Sequence, residues 1–124
     1  MSAGLLDLTG DLAIERSADY ALAFEYTDEL SAAIDLTNAV IKFQARANAT
    51  DTGTAIIDWS TTNGKISITD PTNGIFAIAA SGTDTSAITS SFINGVYDLL
   101  VELSSGAKIR LVQGSVSVTP SVVK

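Results

Sequence analysis

From Asn94 to Pro120 the chain alternates apolar and polar residues on both sides of a single turn. In NGVYDLLVELSSGAKIRLVQGSVSVTP, Tyr97, Leu99, Val101 and Leu103 share one face, with Asp98 and Glu102 on the other. After the SSGA turn the pattern resumes with Ile109 and Leu111, then with Val116 and Val118 against Ser115, Ser117 and Thr119. A period of two is the signature of strands with one wet and one buried face, so this stretch predicts a β-hairpin and an all-β domain.

The rest of the chain follows the same rule. Strands are expected at Asp11–Arg16, Tyr20–Thr27, Ala39–Ala47, Ala55–Ser60, Lys65–Thr69 and Ile75–Ala80. Tyr20, Leu22, Phe24 and Tyr26 would share one face of the second, and Ile41, Phe43 and Ala45 one face of the third. Asn63-Gly64 reads as a hairpin turn, because both residues tolerate positive φ. Asp70-Pro71-Thr72-Asn73-Gly74 reads as a second tight turn, so the three strands from Ala55 to Ala80 are expected to form a meander. Ser81–Phe92, with Ser/Thr caps and apolar Ala87, Ile88 and Phe92, suits a short helical turn crossing between sheets. Together these elements predict an antiparallel β-sandwich of about 7–8 strands with one short helical crossover; a small closed barrel is the alternative. The chain of 124 residues is one domain's length. It divides into an N-terminal arm over residues 1–10, with the apolar run Ala3–Leu8, and a single β-sandwich over residues 11–124.

Composition narrows function by exclusion. Fourteen acidic against seven basic residues give a net charge of −7, and the basic residues are scattered singly. A duplex-binding surface needs a basic patch that releases counterions, so neither nucleic acid nor an anionic membrane is an expected partner. With no histidine and no cysteine, the Ser-His-Asp and Cys-His arrangements and nearly every zinc site are removed. No long apolar span and no basic-plus-apolar leader pattern is present, and the expectation is a protein made and kept without export.

The remaining chemical motifs read as structure. Ser105-Gly-Ala-Lys108 matches S-x-x-K, but in enzymes that use it the serine opens a helix, and here it lies in a hairpin loop. Asp98 and Glu102 share a strand face about 13 Å apart at ~3.3 Å per residue, too far for a carboxylate pair. Asp70 to Gly74 lacks the spaced ligands and closing Glu of a calcium loop. Asn48-Ala-Thr50 is a formal glycosylation sequon. Trp59 is expected in the core rather than on a sugar-stacking surface. No catalytic, cofactor-binding or metal-binding residue is therefore assigned, and the chain is not expected to be an enzyme.

Four segments carry a family resemblance: Leu8-Thr9-Gly10; IERSADY from Ile14 to Tyr20; IDLTNAVIKFQAR from Ile34 to Arg46; and the ending VYDLLVELSSG…RLVQGSVSVTPSV. Over about Leu8–Val122 this resembles the small immunoglobulin-like β-domains of tailed-phage virions, in particular the N-terminal domain of baseplate upper proteins and related tail proteins. Ser17 stands where glycine is common in those domains, and Asn38 where a second glycine is usual. The resemblance implies an immunoglobulin-like sandwich serving as a non-enzymatic tail or baseplate module, localised to the virion after assembly in the host cytoplasm. Its partners would be other virion proteins and copies of itself, as a homo-oligomer. A capsid decoration protein of the same fold is the first alternative, and a carbohydrate-binding module with Trp59 and Phe92 as its platform the second. The expected interface comprises the N-terminal arm and the loop from Asn48 to Gly53.

Overall fold

The computed structural model describes residues 4–28, 30–50, 53–89 and 91–120. Nine strands are present among them: β1 (Gly4–Leu5), β2 (Ile14–Glu15), β3 (Tyr20–Glu25), β4 (Val40–Arg46), β5 (Ile57–Ser60), β6 (Ile66–Asp70), β7 (Ile75–Ala80), β8 (Asn94–Glu102) and β9 (Lys108–Thr119). One five-residue helix, α1 (Gly82–Ser86), lies in the crossing from β7 to β8. The larger sheet has the order β1-β9-β8-β4-β5, with β2 also on β9, and the smaller has β3-β7-β6. This is the strand order of an immunoglobulin-like sandwich, one sheet built on the last two strands and the other on a three-strand B-E-D set.

The alternation places the core where the sequence predicts it. Ile41, Phe43 and Ala45 of β4, Tyr97, Leu99 and Val101 of β8, and Ile57 and Trp59 of β5 are buried together with Phe76 and Ile78 from the opposite sheet. Phe43 stacks on Trp59 at 5.5 Å and on Tyr97 at 5.1 Å between ring centroids. Each such pair adds about 0.5–1.5 kcal/mol beyond the area it buries. These three rings occupy the centre of a sandwich that has no cysteine to cross-link its sheets.

Four expectations are corrected. First, the N-terminal segment is not a free arm in its described part, residues 4–10. Gly4 and Leu5 pair with Val112 and Gln113 of β9, Leu8 bridges Val116, and all of this pairing is parallel. Leu8 is completely buried, so burial of an apolar side chain holds the segment down. The domain accordingly starts before residue 11, and the sheet is not purely antiparallel.

Second, the strand expected over Asp11–Arg16 is only Ile14–Glu15, again parallel to β9, at Val118 and Thr119. A 3-10 turn at Gly10–Leu12 precedes it, with Gly10 left-handed at φ 58°.

Third, Asn63-Gly64 does not close a hairpin. β5 pairs with β4 in the large sheet and β6 with β7 in the small one, so the chain changes sheets here and no three-strand meander forms. The Asn63 side chain makes the corner. Its Oδ1 accepts from the backbone N–H of Ser60 (3.0 Å) and Lys65 (3.2 Å), and its Nδ2 donates to the Asp58 carbonyl (2.9 Å).

Fourth, Leu111 does not simply continue the inward alternation that begins at Ile109. Its register against β8 slips between Leu99 and Leu100, which pair with Val112 and Arg110. The extra residue, Leu111, is a bulge that moves the inward set from Ile109 to Val112, Val116 and Val118.

Ser17 and Asn38 adopt left-handed backbone conformations, with φ of 70° and 61°. The crossover forms as expected: the Ser81 hydroxyl accepts from the Asp84 N–H and the Asp84 carboxylate from the Ser81 N–H, a reciprocal cap. That hydrogen bond, with Lys65 3.0 Å away, holds the Asp84 carboxyl below its ordinary range.

Candidate functional site

Strand alternation turns every second residue of the large sheet outward, and antiparallel register lines these residues up in rows. One row runs Asp58, Gln44, Asp98, Gln113 across β5, β4, β8 and β9. Beside it lie Ser60, Lys42, Leu100 and Arg110 on one side, and Arg46, Val96 and Ser115 on the other. Acid and amide thus alternate along the central row, with the cations Lys42, Arg46 and Arg110 beside it. Arg110 lies 3.5 Å from Asp98 and donates to the Gln113 Oε1 at 3.4 Å. Arg46 donates to the Gln44 Oε1 at 3.5 Å and to the carbonyl of Gly53, which ties the loop after β4 onto this face. Exposed pairs of this kind contribute at most about 1 kcal/mol each, so their value lies in fixing side-chain direction rather than in stability.

At the β9 end the face deepens into an open depression of about 500 Å³. Asp7 forms one rim and Ala49 the other, with Gln44, Arg46, Asp98, Arg110 and Gln113 between them. The two segments expected to form an interface therefore border a single concavity. The part of the Asn48–Gly53 loop at residues 51 and 52 lies outside the described residues.

The Asp7 rim is held by a receiving surface on β8 and β9. The Tyr97 hydroxyl donates to the Leu6 carbonyl, and the Asp7 Oδ1 accepts from the Ser115 N–H at 3.0 Å. Leu6 and Leu8 donate their N–H groups to the carbonyls of Gln113 and Ser115 at 2.9 and 2.8 Å. Gly114 lies beneath: a Cβ there would stand 2.3 Å from the Leu6 carbonyl oxygen. Burial first, and the nearby charges second, push the Tyr97 phenol well above its ordinary pKa, so it stays a hydrogen-bond donor. The sequence places Tyr97 on a buried strand face and Asp7 within the N-terminal arm, but it points to neither of these contacts and gives Gly114 no role. A glycine inside a strand, as in Gln113-Gly114-Ser115, is the available signal, because it marks close backbone approach.

No protein-family profile matches this sequence, and no curated protein does. Among solved structures, Drosophila OTK, extracellular domains 3-5, aligns over 95% of this chain at 17% identity with a TM-score of 0.34. This chain spans 33% of that one.

The remaining motifs fall apart as sites. Ser105 and Lys108 are exposed in the β8–β9 hairpin. Asp98 pairs with Arg110, whereas Glu102 lies opposite Val40 and Lys108. The Asp70 carboxylate is taken up inside its own turn, accepting from Asn73 at 2.8 Å. Thr50 donates to Asn48 within the sequon. Trp59 and Phe92 are each 5% exposed and offer no stacking surface.

Proposed function

We propose that this chain is a non-enzymatic structural module of a tailed-phage virion, a tail or baseplate domain present in multiple copies that acts by docking onto other virion proteins. The observation that supports it best is the outer face of the large sheet. Asp58, Gln44, Arg46, Asp98, Arg110 and Gln113 on it pair with one another, which suits a rigid surface for a complementary protein better than a cleft that activates a substrate. The four sequence segments named above supply the virion setting, and the net charge of −7 keeps the chain off nucleic acid and anionic lipid. On this reading the rows from Asp58 to Gln113 set partner choice through charge register, and the depression between Asp7 and Ala49 receives a protruding side chain.

The test is co-purification. Particles banded by density from cells encoding this chain should contain it at a fixed stoichiometry to the other tail proteins, and gold-labelled antibody should decorate one end of the tail. Label on the head would move the chain to capsid decoration. Recovery only in the particle-free fraction overturns the proposal.

A further inference from the structure

The way the N-terminal segment meets β9 leaves a surplus of chain. Six residues carry the chain from Leu8 to Ile14, whereas their partners Val116 and Val118 are two residues apart on β9. At ~3.3 Å per residue, about 20 Å of potential reach closes a gap of about 7 Å. The excess is folded into the Gly10–Leu12 turn, secured by Leu12 N–H to the Thr9 carbonyl (3.0 Å) and Ala13 N–H to the Gly10 carbonyl (3.2 Å). Unfolding that turn would carry residues 4–8 about 13 Å further without disturbing Ile14. Gly10, at φ 58°, is the natural pivot.

The segment beyond the turn is held only through its receiving surface. Its described hydrogen bonds run to Gln113, Ser115, Ser117 and Tyr97, all on β8 and β9. An identical surface exists on every other copy. From these two facts we propose that residues 4–8 are an exchangeable strand: in adjacent copies the Gly10–Leu12 turn opens, and each copy's strand docks on β9 of the other in the register seen here. Tyr97 of one copy then donates to Leu6 of its neighbour, and the other's Leu8 fills the buried site beside Val116. The contacts of residues 4–8 with β8 and β9 are kept, so the exchange costs association entropy, the short turn itself, the Tyr20 hydroxyl bond to the Leu12 carbonyl and the packing of Leu12 on the core. Closely spaced copies supply that entropy through high effective concentration. The exchange supplies the self-contact that the proposed multi-copy role requires, but it does not depend on the virion setting.

The wild-type chain has no cysteine, which permits a clean test. Asp7→Cys and Ser115→Cys chains are purified separately, mixed and mildly oxidised. Exchange places the thiol of one variant against that of the other, giving a covalent heterodimer whose yield rises with concentration. The double variant should close within one chain when dilute and between chains when concentrated. Light scattering on the unmodified chain should show monomer passing to dimer towards ~1 mM, the effective concentration of tethered neighbours. An unmodified chain that stays monomeric to that concentration overturns the proposal. So does a heterodimer yield no greater than that of Asp7→Cys mixed with a chain bearing the remote Thr83→Cys. Neither failure touches the virion reading, which rests on particle association.

Discussion

The Tyr97 hydroxyl donates to the main-chain carbonyl of Leu6, 91 residues earlier in the chain. This bond fastens the first described strand to the middle of the last hairpin, and its loss should be felt at both. Tyr97→Phe keeps the ring that stacks on Phe43 and removes only the donor, leaving a carbonyl without that partner. A loss of about 1–2 kcal/mol is expected in denaturant unfolding, with faster amide exchange at Leu6 and Leu8 and little change at Ile41 or Val101. Equal acceleration throughout the domain would show that the bond does not act locally.

Gly114→Ala should act on the same segment from beneath. The added carbon would stand 2.3 Å from the Leu6 carbonyl oxygen and 2.9 Å from the Asp7 Oδ1, so the strand must lift. Destabilisation of about 1–3 kcal/mol is expected, together with protease sensitivity before residue 14. A variant as resistant as the wild type contradicts the close approach.

Leu8→Ala empties a fully buried site. The expected cost is about 2–5 kcal/mol, as for other core leucines truncated to alanine, and it can be read from a urea midpoint shift at unchanged m. A cost under about 0.5 kcal/mol would be that of a surface position and would place Leu8 outside the core.

Asn63→Ala removes the side chain that makes the β5–β6 corner. Three hydrogen bonds to the backbone of Ser60, Lys65 and Asp58 are lost, so destabilisation of about 1–3 kcal/mol is expected, with increased exchange at Ser60 and Lys65. Unaltered stability would mean that Gly64 and the flanking strands turn the chain unaided.

Alkaline pH should unfold the domain. Burial pushes the Tyr20 phenol up to about 12, and raises Tyr26 and Tyr97 as well. An unfolded tyrosine ionises near 10. The folded state therefore keeps protons that the unfolded state releases, and the stabilisation present below pH 10 is lost as pH climbs towards the folded values. Tyrosinate absorbance should rise together with the loss of β-sheet circular dichroism. A separate early rise near pH 10 would show that a phenol ionises without unfolding.

Much of this architecture could be read in the sequence because period-two patterning is local. Ile41, Phe43 and Ala45, or Tyr97, Leu99 and Val101, announce their buried face within a few residues. Ile75–Ala80 was delimited to the residue, and the Ser81 cap marked the helix start. What could not be read depends on distant partners. Asn63-Gly64 has the same turn chemistry at a hairpin and at a corner between sheets; only the sheet that accepts Ile66 decides between them. The run Ala3–Leu8 could equally be an arm or an edge strand until β9 is present beside it. The Leu111 bulge left a trace, since inward positions change from odd at Ile109 to even at Val116, which requires one extra residue between them. The candidate face was half visible: the arm and the Asn48–Gly53 loop pointed to its rims, whereas the amide–acid row between them exists only through cross-strand register.

The central position of β9 also bears on how the protein is made. It is the last of the described strands to be synthesised, yet β1, β2 and β8 all pair with it. A chain emerging from the ribosome can assemble β3 with β7 and β6, and β4 with β5 and β8, but Leu8 and Ile14 must wait with apolar surface uncovered. Closure then joins segments from opposite ends of the sequence, the slow, long-range kind of contact. The vulnerable interval for this protein is thus the time before residues 108–119 arrive, when a folding chaperone or a neighbouring nascent chain competes for the same uncovered surface.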